Sequence, residues 1–235
     1  MEPELVDAVR AGDRRALSRA ITLVERGEPL DEPEPKGSKP VLGITGPPGA
    51  GKSTLISALI SRLRAQGETV GVLAVDPSSP ITGGALLGDR IRMQSHIDDE
   101  GVYVRSMATR GHLGGLANAA ADAVRLMAMA GFDHVIVETV GVGQSEVEVM
   151  NLADHVVLIV GPSWGDHVQA GKAGIVEIAD LFVVNKGDRP GVSDVKRALS
   201  EAADAASAEI LVTTATTGEG VAEVVEAIRR LTVSR

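Results

Sequence analysis

The sequence predicts an α/β fold: a mainly parallel sheet flanked by helices, preceded by a small helical extension. Three observations carry that prediction. From Val41 onward, short Val-, Ile- and Leu-rich runs alternate with helix-forming stretches, the rhythm of successive βαβ units. The run Val41-Leu42-Gly43-Ile44-Thr45 leads into Gly46-Pro47-Pro48-Gly49-Ala50-Gly51-Lys52-Ser53-Thr54, which has the G-x-x-x-x-G-K-S spacing of a phosphate-binding loop. Further on, the apolar run Leu181 to Val184 ends in Asn185-Lys186-Gly187-Asp188. Chemistry at strand ends suits such a sheet, because its ligands bind beyond the carboxyl ends of the strands.

In chain order, residues 3–27 read as two helices around Gly12-Asp13. Asp13 serves as N-cap, and Leu17, Ile21 and Val24 recur at helical spacing. Glu28 to Pro40 carries Pro29, Pro33, Pro35 and Pro40 among mixed charges and reads as a linker. Residues 1–40 are therefore expected to be extension and linker, and residues 41–235 the nucleotide-binding domain. A helix is expected from Lys52 to about Gln66, and strands at Val70 to Val75, Val102 to Met107, His134 to Val137, Leu181 to Asn185 and Ile210 to Thr213. Thr109 to Leu116 is a glycine-rich stretch ahead of a long alanine-rich helix, and a final helix covers Val221 to Leu231.

The phosphate loop needs the residue types it has. Gly46, Gly49 and Gly51 let the backbone curl so that successive N–H groups face phosphate oxygens, with Pro47, Pro48 and Ala50 filling the turn. Lys52 brings a point charge to the β- and γ-phosphates, the Ser53 hydroxyl reaches Mg²⁺, and Thr54 continues into the helix. The positive end of that helix's dipole faces the same oxygens.

The N-K-x-D motif selects the base. The Asp188 carboxylate accepts from guanine N1–H and the exocyclic amine. Adenine offers no such donor pair, so a buried Asp188 would be left unpaired with ATP. Asn185 braces the loop and the Lys186 stem lies over the base. Thr214-Ala215-Thr216 follows the last strand where GTPases usually carry Ser-Ala, with backbone N–H groups near the guanine oxygen; a plain strand-to-helix turn is the alternative. GTP and GDP are the expected ligands, with Mg²⁺.

Glu138 ends a buried strand facing the phosphate loop and is expected to hold Mg²⁺ or its water shell, and Gly141 permits close approach to the γ-phosphate. Asp76 ends the second strand and suits the same metal, with turn-capping as its alternative; Asp89 divides between N-cap and switch residue. Small GTPases place a water-orienting Gln directly after the glycine, but Val142 stands here and Gln144 comes later, which implies slow intrinsic hydrolysis. His112 is left without a role.

Composition bounds the rest. The 235 residues are 44% apolar, enough for a sizeable core. Net charge is −9, from 32 acidic and 23 basic side chains, and only four aromatics occur, so nucleic acid is not expected as a partner. No apolar run approaches the roughly 18 residues needed to cross a bilayer. The acidic start, Met1-Glu2-Pro3-Glu4, is unlike a signal or transit peptide, so a cytoplasmic protein is expected. With no cysteine and five scattered histidines, a dedicated zinc or nickel site is not expected.

Taken together, the phosphate loop, Val75-Asp76-Pro77-Ser78-Ser79, Gly88-Asp89-Arg90-Ile91-Arg92-Met93, Arg110 to Gly115 (R-G-H-L-G-G), Glu138 to Glu146 (E-T-V-G-V-G-Q-S-E) and Val9 to Thr22 resemble the MeaB/ArgK GTPases, over about residues 5 to 230. The resemblance implies a P-loop NTPase fold, a SIMIBI-type G domain. It implies a G-protein chaperone that gates cofactor loading and protection of an adenosylcobalamin-dependent acyl-CoA mutase, above all methylmalonyl-CoA mutase. The family's extra switch, Gly-Asp-x-x-Gln-x-x-Lys, fits Gly165 to Lys172, so Gln169 and Lys172 are expected to sense the partner and complete the catalytic set with Lys52 and Glu138. Family members usually continue into a C-terminal helical dimerisation arm. This sequence stops at Arg235, so the resemblance makes it a short form and leaves homodimerisation open.

Three rivals stand beside this reading, the last of them a non-catalytic GTP-binding module whose slow hydrolysis no partner accelerates. A nickel-insertion GTPase shares the style of nucleotide site but should bring Cys and His ligands. A P-loop small-molecule kinase, in line with an older transport-linked ATPase label for the family, would leave Asp188 idle.

Overall fold

Seven strands, all parallel, form one sheet in the order β3-β2-β4-β1-β5-β6-β7. They are β1 (Val41–Thr45), β2 (Val70–Asp76), β3 (Val102–Ala108), β4 (His134–Thr139), β5 (His155–Val160), β6 (Leu181–Asn185) and β7 (Glu209–Thr213). The helices are α1 (Pro3–Arg10), α2 (Arg14–Glu25), α3 (Lys52–Arg64), α4 (Leu113–Met129), α5 (Ala173–Glu177), α6 (Val192–Ala203) and α7 (Val221–Val233). The computed structural model describes residues 1–33, 38–76, 96, 98–108, 113–139, 147, 149–164, 173–203 and 209–233, with backbone alone at 76, 108, 113–117, 173–174 and 202–203.

Because side chains alternate across each strand, the central strands must be apolar on both faces. β1 and β5 are buried at every position. On one face, Leu42, Ile44, Ile136, Val157, Ile159 and Val183 pack with Leu55, Ile56, Leu59 and Ile60 of α3 and Val224, Val225 and Ile228 of α7. On the other, Leu73, Val75, Val135, Val137, Leu158 and Phe182 share a core with α4 and α6 and with Leu5, Val9, Leu17, Ile21 and Val24 of α1 and α2. The N-terminal hairpin is thus packed into the sheet's own core. Asp13 caps α2 as expected, accepting from the Arg15 and Ala16 amides at 2.7 and 3.1 Å. Arg14 donates to the carbonyls of Glu100 and Val102 at 2.5 and 2.6 Å, and Arg105 pairs with Glu25 at 2.5 Å, which fastens the hairpin to edge strand β3. No described helix is long and apolar enough to cross a membrane.

Two differences from the sequence expectation matter for the site. β5 was not among the expected strands, although Val156 to Val160 is a continuous apolar run between His155 and Gly161. It lies beside β1 and forms one wall of the phosphate loop. In addition, α4 begins at Leu113, so Gly114 and Gly115 belong to a helix rather than to the preceding glycine-rich stretch.

At the opposite end of the sheet, Asp133 ties β2 to β4. Its carboxylate accepts from Lys39 at 2.7 Å and from the Thr69 amide and hydroxyl, both at 2.9 Å. The Lys39 bond and the Thr69 amide together hold its pKa down to about 2. A lowered native pKa means stability present above the unfolded carboxylate value, near 3.8, and lost as pH falls toward 2. Asp133→Asn is expected to remove about 1–2 kcal/mol at pH 7 and little at pH 2. Urea melts of both proteins at the two pH values check this; equal losses at both would show that the carboxylate charge is irrelevant.

Candidate nucleotide site

β1 ends at Thr45 and the chain turns sharply at Gly46. Gly46 has φ +146°, and its backbone passes so close to Ile159 of β5 that a Cβ would overlap the Ile159 carbonyl oxygen. The loop then curls around Lys52, the first residue of α3. Lys52 is only 6% exposed, and its ammonium donates to the carbonyls of Gly46 and Pro47 at 2.8 and 3.2 Å. The Lys52 ammonium and the start of α3 thus lie together at the loop, where the helix dipole and Lys52 favour an anion.

Ser53 and Glu138 meet beneath that point. The Ser53 hydroxyl donates to Glu138 Oε1 at 2.8 Å, and both side chains are buried. Strand register brings them together: Ile44 of β1 lies opposite Glu138 of β4, with Ala74 of β2 on the other side. One residue on, the Thr139 hydroxyl donates to that of Thr45 at 3.0 Å and joins the ends of β4 and β1. A serine hydroxyl and a carboxylate oxygen at one spot are the hard oxygen donors that Mg²⁺ takes, so these residues fit that ion. Asp76 is the last residue of β2, next to β4, but its side chain lies outside the described residues. Asp89, Gly141, Gln169 and Lys172 also lie outside them.

Across the loop, Asn185 is the hub of a second set of hydrogen bonds. It is 2% exposed at the end of β6. Its amide donates to the Ala50 carbonyl at 2.9 Å, and its Oδ1 accepts from the Thr213 hydroxyl and the Ala215 amide, each at 3.1 Å. Phosphate loop, N-K-x-D turn and the loop after β7 are thereby one hydrogen-bonded unit. Gly51, with φ +93°, permits this contact, since a Cβ there would collide with the Asn185 amide.

Lys186 adopts φ +63°, rare for a residue with a side chain, and its ammonium crosses to the Gly49 carbonyl at 2.5 Å. Its stem thus bridges the two loops. Asp188 is exposed, not buried as the desolvation reasoning from sequence supposed. It stands past the strand end on the turn, where little protein covers it. Thr214 and Ala215 are buried and Thr216 is exposed. Because the amides of Thr214 and Ala215 already donate to Glu219 and Asn185, the Thr216 amide alone of the three has no hydrogen-bond acceptor among the described residues.

A cleft of about 520 Å³ opens beside the loop, between Pro47–Ala50, Gly161–Trp164, and Lys186, Arg189 and Pro190. A wider groove of about 910 Å³ runs between α3 and the loop after β7, from Thr54 to Ala65 and along Ala215 to Gly218. The sequence reading missed the Gly161–Trp164 turn and Arg189. The apolar run of β5 was the available signal for the first; nothing local marks the second.

An N-K-x-D turn bonded directly to a phosphate loop at the strand ends is the arrangement of a P-loop GTPase. The family description that matches residues 17–234 is methylmalonyl Co-A mutase-associated GTPase MeaB, and the chain belongs to that family. A Pyrococcus horikoshii protein carrying a GTPase name is 50% identical over 246 residues, 97% of this chain and 78% of its own length. GTPase ArgK of Escherichia coli is 44% identical over 195 residues, 79% of this chain and 59% of its own. A crystal structure described as LAO/AO transport system kinase superposes with a TM-score of 0.73 at 30% identity, covering 97% of this chain and 74% of that one.

Proposed function

We propose that this GTPase binds GTP with Mg²⁺ and uses its hydrolysis to gate cofactor loading and protection of an adenosylcobalamin-dependent acyl-CoA mutase of the methylmalonyl-CoA type. The match of residues 17–234 to a mutase-associated GTPase family supports this reading of the partner. The Asn185 bridge between base turn and phosphate loop supports the reading of the nucleotide. In this proposal residues 41–235 form the catalytic unit and residues 1–40 its helical extension.

The loop amides from Gly49 to Thr54 and the Lys52 ammonium hold the β- and γ-phosphates. Ser53, Glu138, Asp76 and Asp89 would hold Mg²⁺, which when bound would neutralise charge on the phosphate oxygens. Asp188 and the Thr214–Thr216 loop read guanine, and Asn185 and Lys186 keep that reader in register with the phosphates. Gly141 approaches the γ-phosphate, and Gln169 and Lys172 complete the catalytic set when the partner engages. Lys172→Ala is accordingly expected to leave GDP affinity within about twofold of wild type while lowering mutase-stimulated turnover by roughly tenfold or more.

The test is GTP and ATP turnover by the purified chain, with and without methylmalonyl-CoA mutase from the same source. GTP-selective turnover that rises with the mutase supports the proposal. Turnover indifferent to the mutase overturns the partner, and a preference for ATP favours the kinase alternative.

A further inference from the structure

The cleft beside the phosphate loop has an uneven supply of hydrogen-bond donors. Its loop wall carries Pro47 and Pro48, neither of which has an amide hydrogen. The Lys186 ammonium on the adjoining wall is turned onto the Gly49 carbonyl. Among the described residues no carboxylate lines the cleft. The other cation among the described lining residues is Arg189, exposed at the rim, whose guanidinium forms no hydrogen bond or ion pair with any described residue. Its backbone is nonetheless held in place. The Arg189 amide donates to the Lys186 carbonyl at 3.0 Å, and Gly191, at φ +95°, packs against the Pro162 carbonyl across the cleft.

We propose that Arg189 is a catalytic residue acting within its own chain, donating across the cleft to the terminal phosphate of GTP on the side where Pro47 and Pro48 leave no amide donor. This rests on hydrolysis of GTP at the phosphate loop. In that reaction water oxygen bonds to the γ-phosphorus and the bridge to the β-phosphate breaks with its electron pair left on GDP. The water's proton ends on inorganic phosphate. Negative charge spreads over the equatorial oxygens of the transferring group, and a planar guanidinium fork matches two of them at once. The turn after β6 would then carry the guanine reader, Asp188, and a phosphate cation, Arg189, on adjacent residues.

Single-turnover GTP hydrolysis without mutase, alongside GDP binding, tests this in wild type, Arg189→Ala and Arg189→Lys. The side chain is exposed, so both variants are expected to melt like wild type. Hydrolysis by Arg189→Ala should fall by roughly tenfold or more, with GDP affinity changed by less than about twofold and Arg189→Lys recovering part of the rate. Capture of aluminium fluoride with GDP should fall in parallel. Wild-type hydrolysis by Arg189→Ala overturns the proposal. So does a loss seen only in mutase-stimulated turnover, which would turn the guanidinium toward a partner. A wild-type chain that hydrolyses no GTP removes the parent reading as well, and is distinguished by that control.

Discussion

Asp188→Asn is expected to weaken GTP binding on the order of 10²–10⁴-fold and to raise affinity for xanthosine triphosphate. In the proposed site the carboxylate would accept two hydrogen bonds from guanine, both assisted by its charge. An asparagine amide has one acceptor and presents N–H groups where the other acceptor stood, so a guanine donor would face a donor. Xanthine carries a carbonyl where guanine carries its amine, and the new N–H groups match it. The exposure of Asp188 sharpens the expectation, because the turn that carries it is already fixed without the carboxylate. The Gly187 amide donates to the Thr213 carbonyl at 2.9 Å, and a Cβ at Gly187 would come within 2.9 Å of Val212. The variant should therefore keep wild-type stability while changing its nucleotide. Calorimetric binding of GDP and xanthosine diphosphate measures both halves. Unchanged GDP affinity would remove Asp188 from the base site, and equal loss for both nucleotides would point to a distorted turn.

How much of this was legible in the sequence depends on range. The G-x-x-x-x-G-K-S spacing acts within one turn, and it located β1, the loop and the start of α3 correctly. Asn185 was read as a brace because strand-end motifs converge in a parallel sheet, and the structure supplies its three bonds. Lys186 was expected over the base; its bond to Gly49 needs a positive φ that no local signal in Asn-Lys-Gly-Asp announces. Burial of Asp188 was inferred from motif chemistry, yet exposure depends on what the neighbouring elements cover, and no described element covers this turn past the strand end. β5 carried no chemical motif, so its apolar run went unread although it supports Gly46. Short-range covalent logic was readable. Contacts made by elements far apart in sequence were readable only where a motif marked both partners.

Asn185→Ala should lower stability by on the order of 3–5 kcal/mol, a fall in Tm of roughly 10 °C, and speed GDP release. The side chain is 2% exposed and serves an acceptor and two donors: the Ala50 carbonyl, the Thr213 hydroxyl and the Ala215 amide. Thr213 and Ala215 are themselves buried. Removing the hub leaves these groups inside with no replacement, each at about 1–3 kcal/mol. The void left by the amide adds little, because it is small. Binding suffers by a separate route. The bond to Ala50 is one of two ties between the phosphate loop and the N-K-x-D turn, and its loss leaves the exposed Lys186–Gly49 bond to hold the two halves of the site together. Asn185→Asp separates the routes. A carboxylate still accepts from Thr213 and Ala215 but meets the Ala50 carbonyl oxygen to oxygen. Part of the stability should return while GDP release remains fast. Thermal melts together with stopped-flow release of a fluorescent GDP analogue give both quantities. If Asn185→Ala melts within about 1 kcal/mol of wild type, the three bonds are not the connection that unites the site.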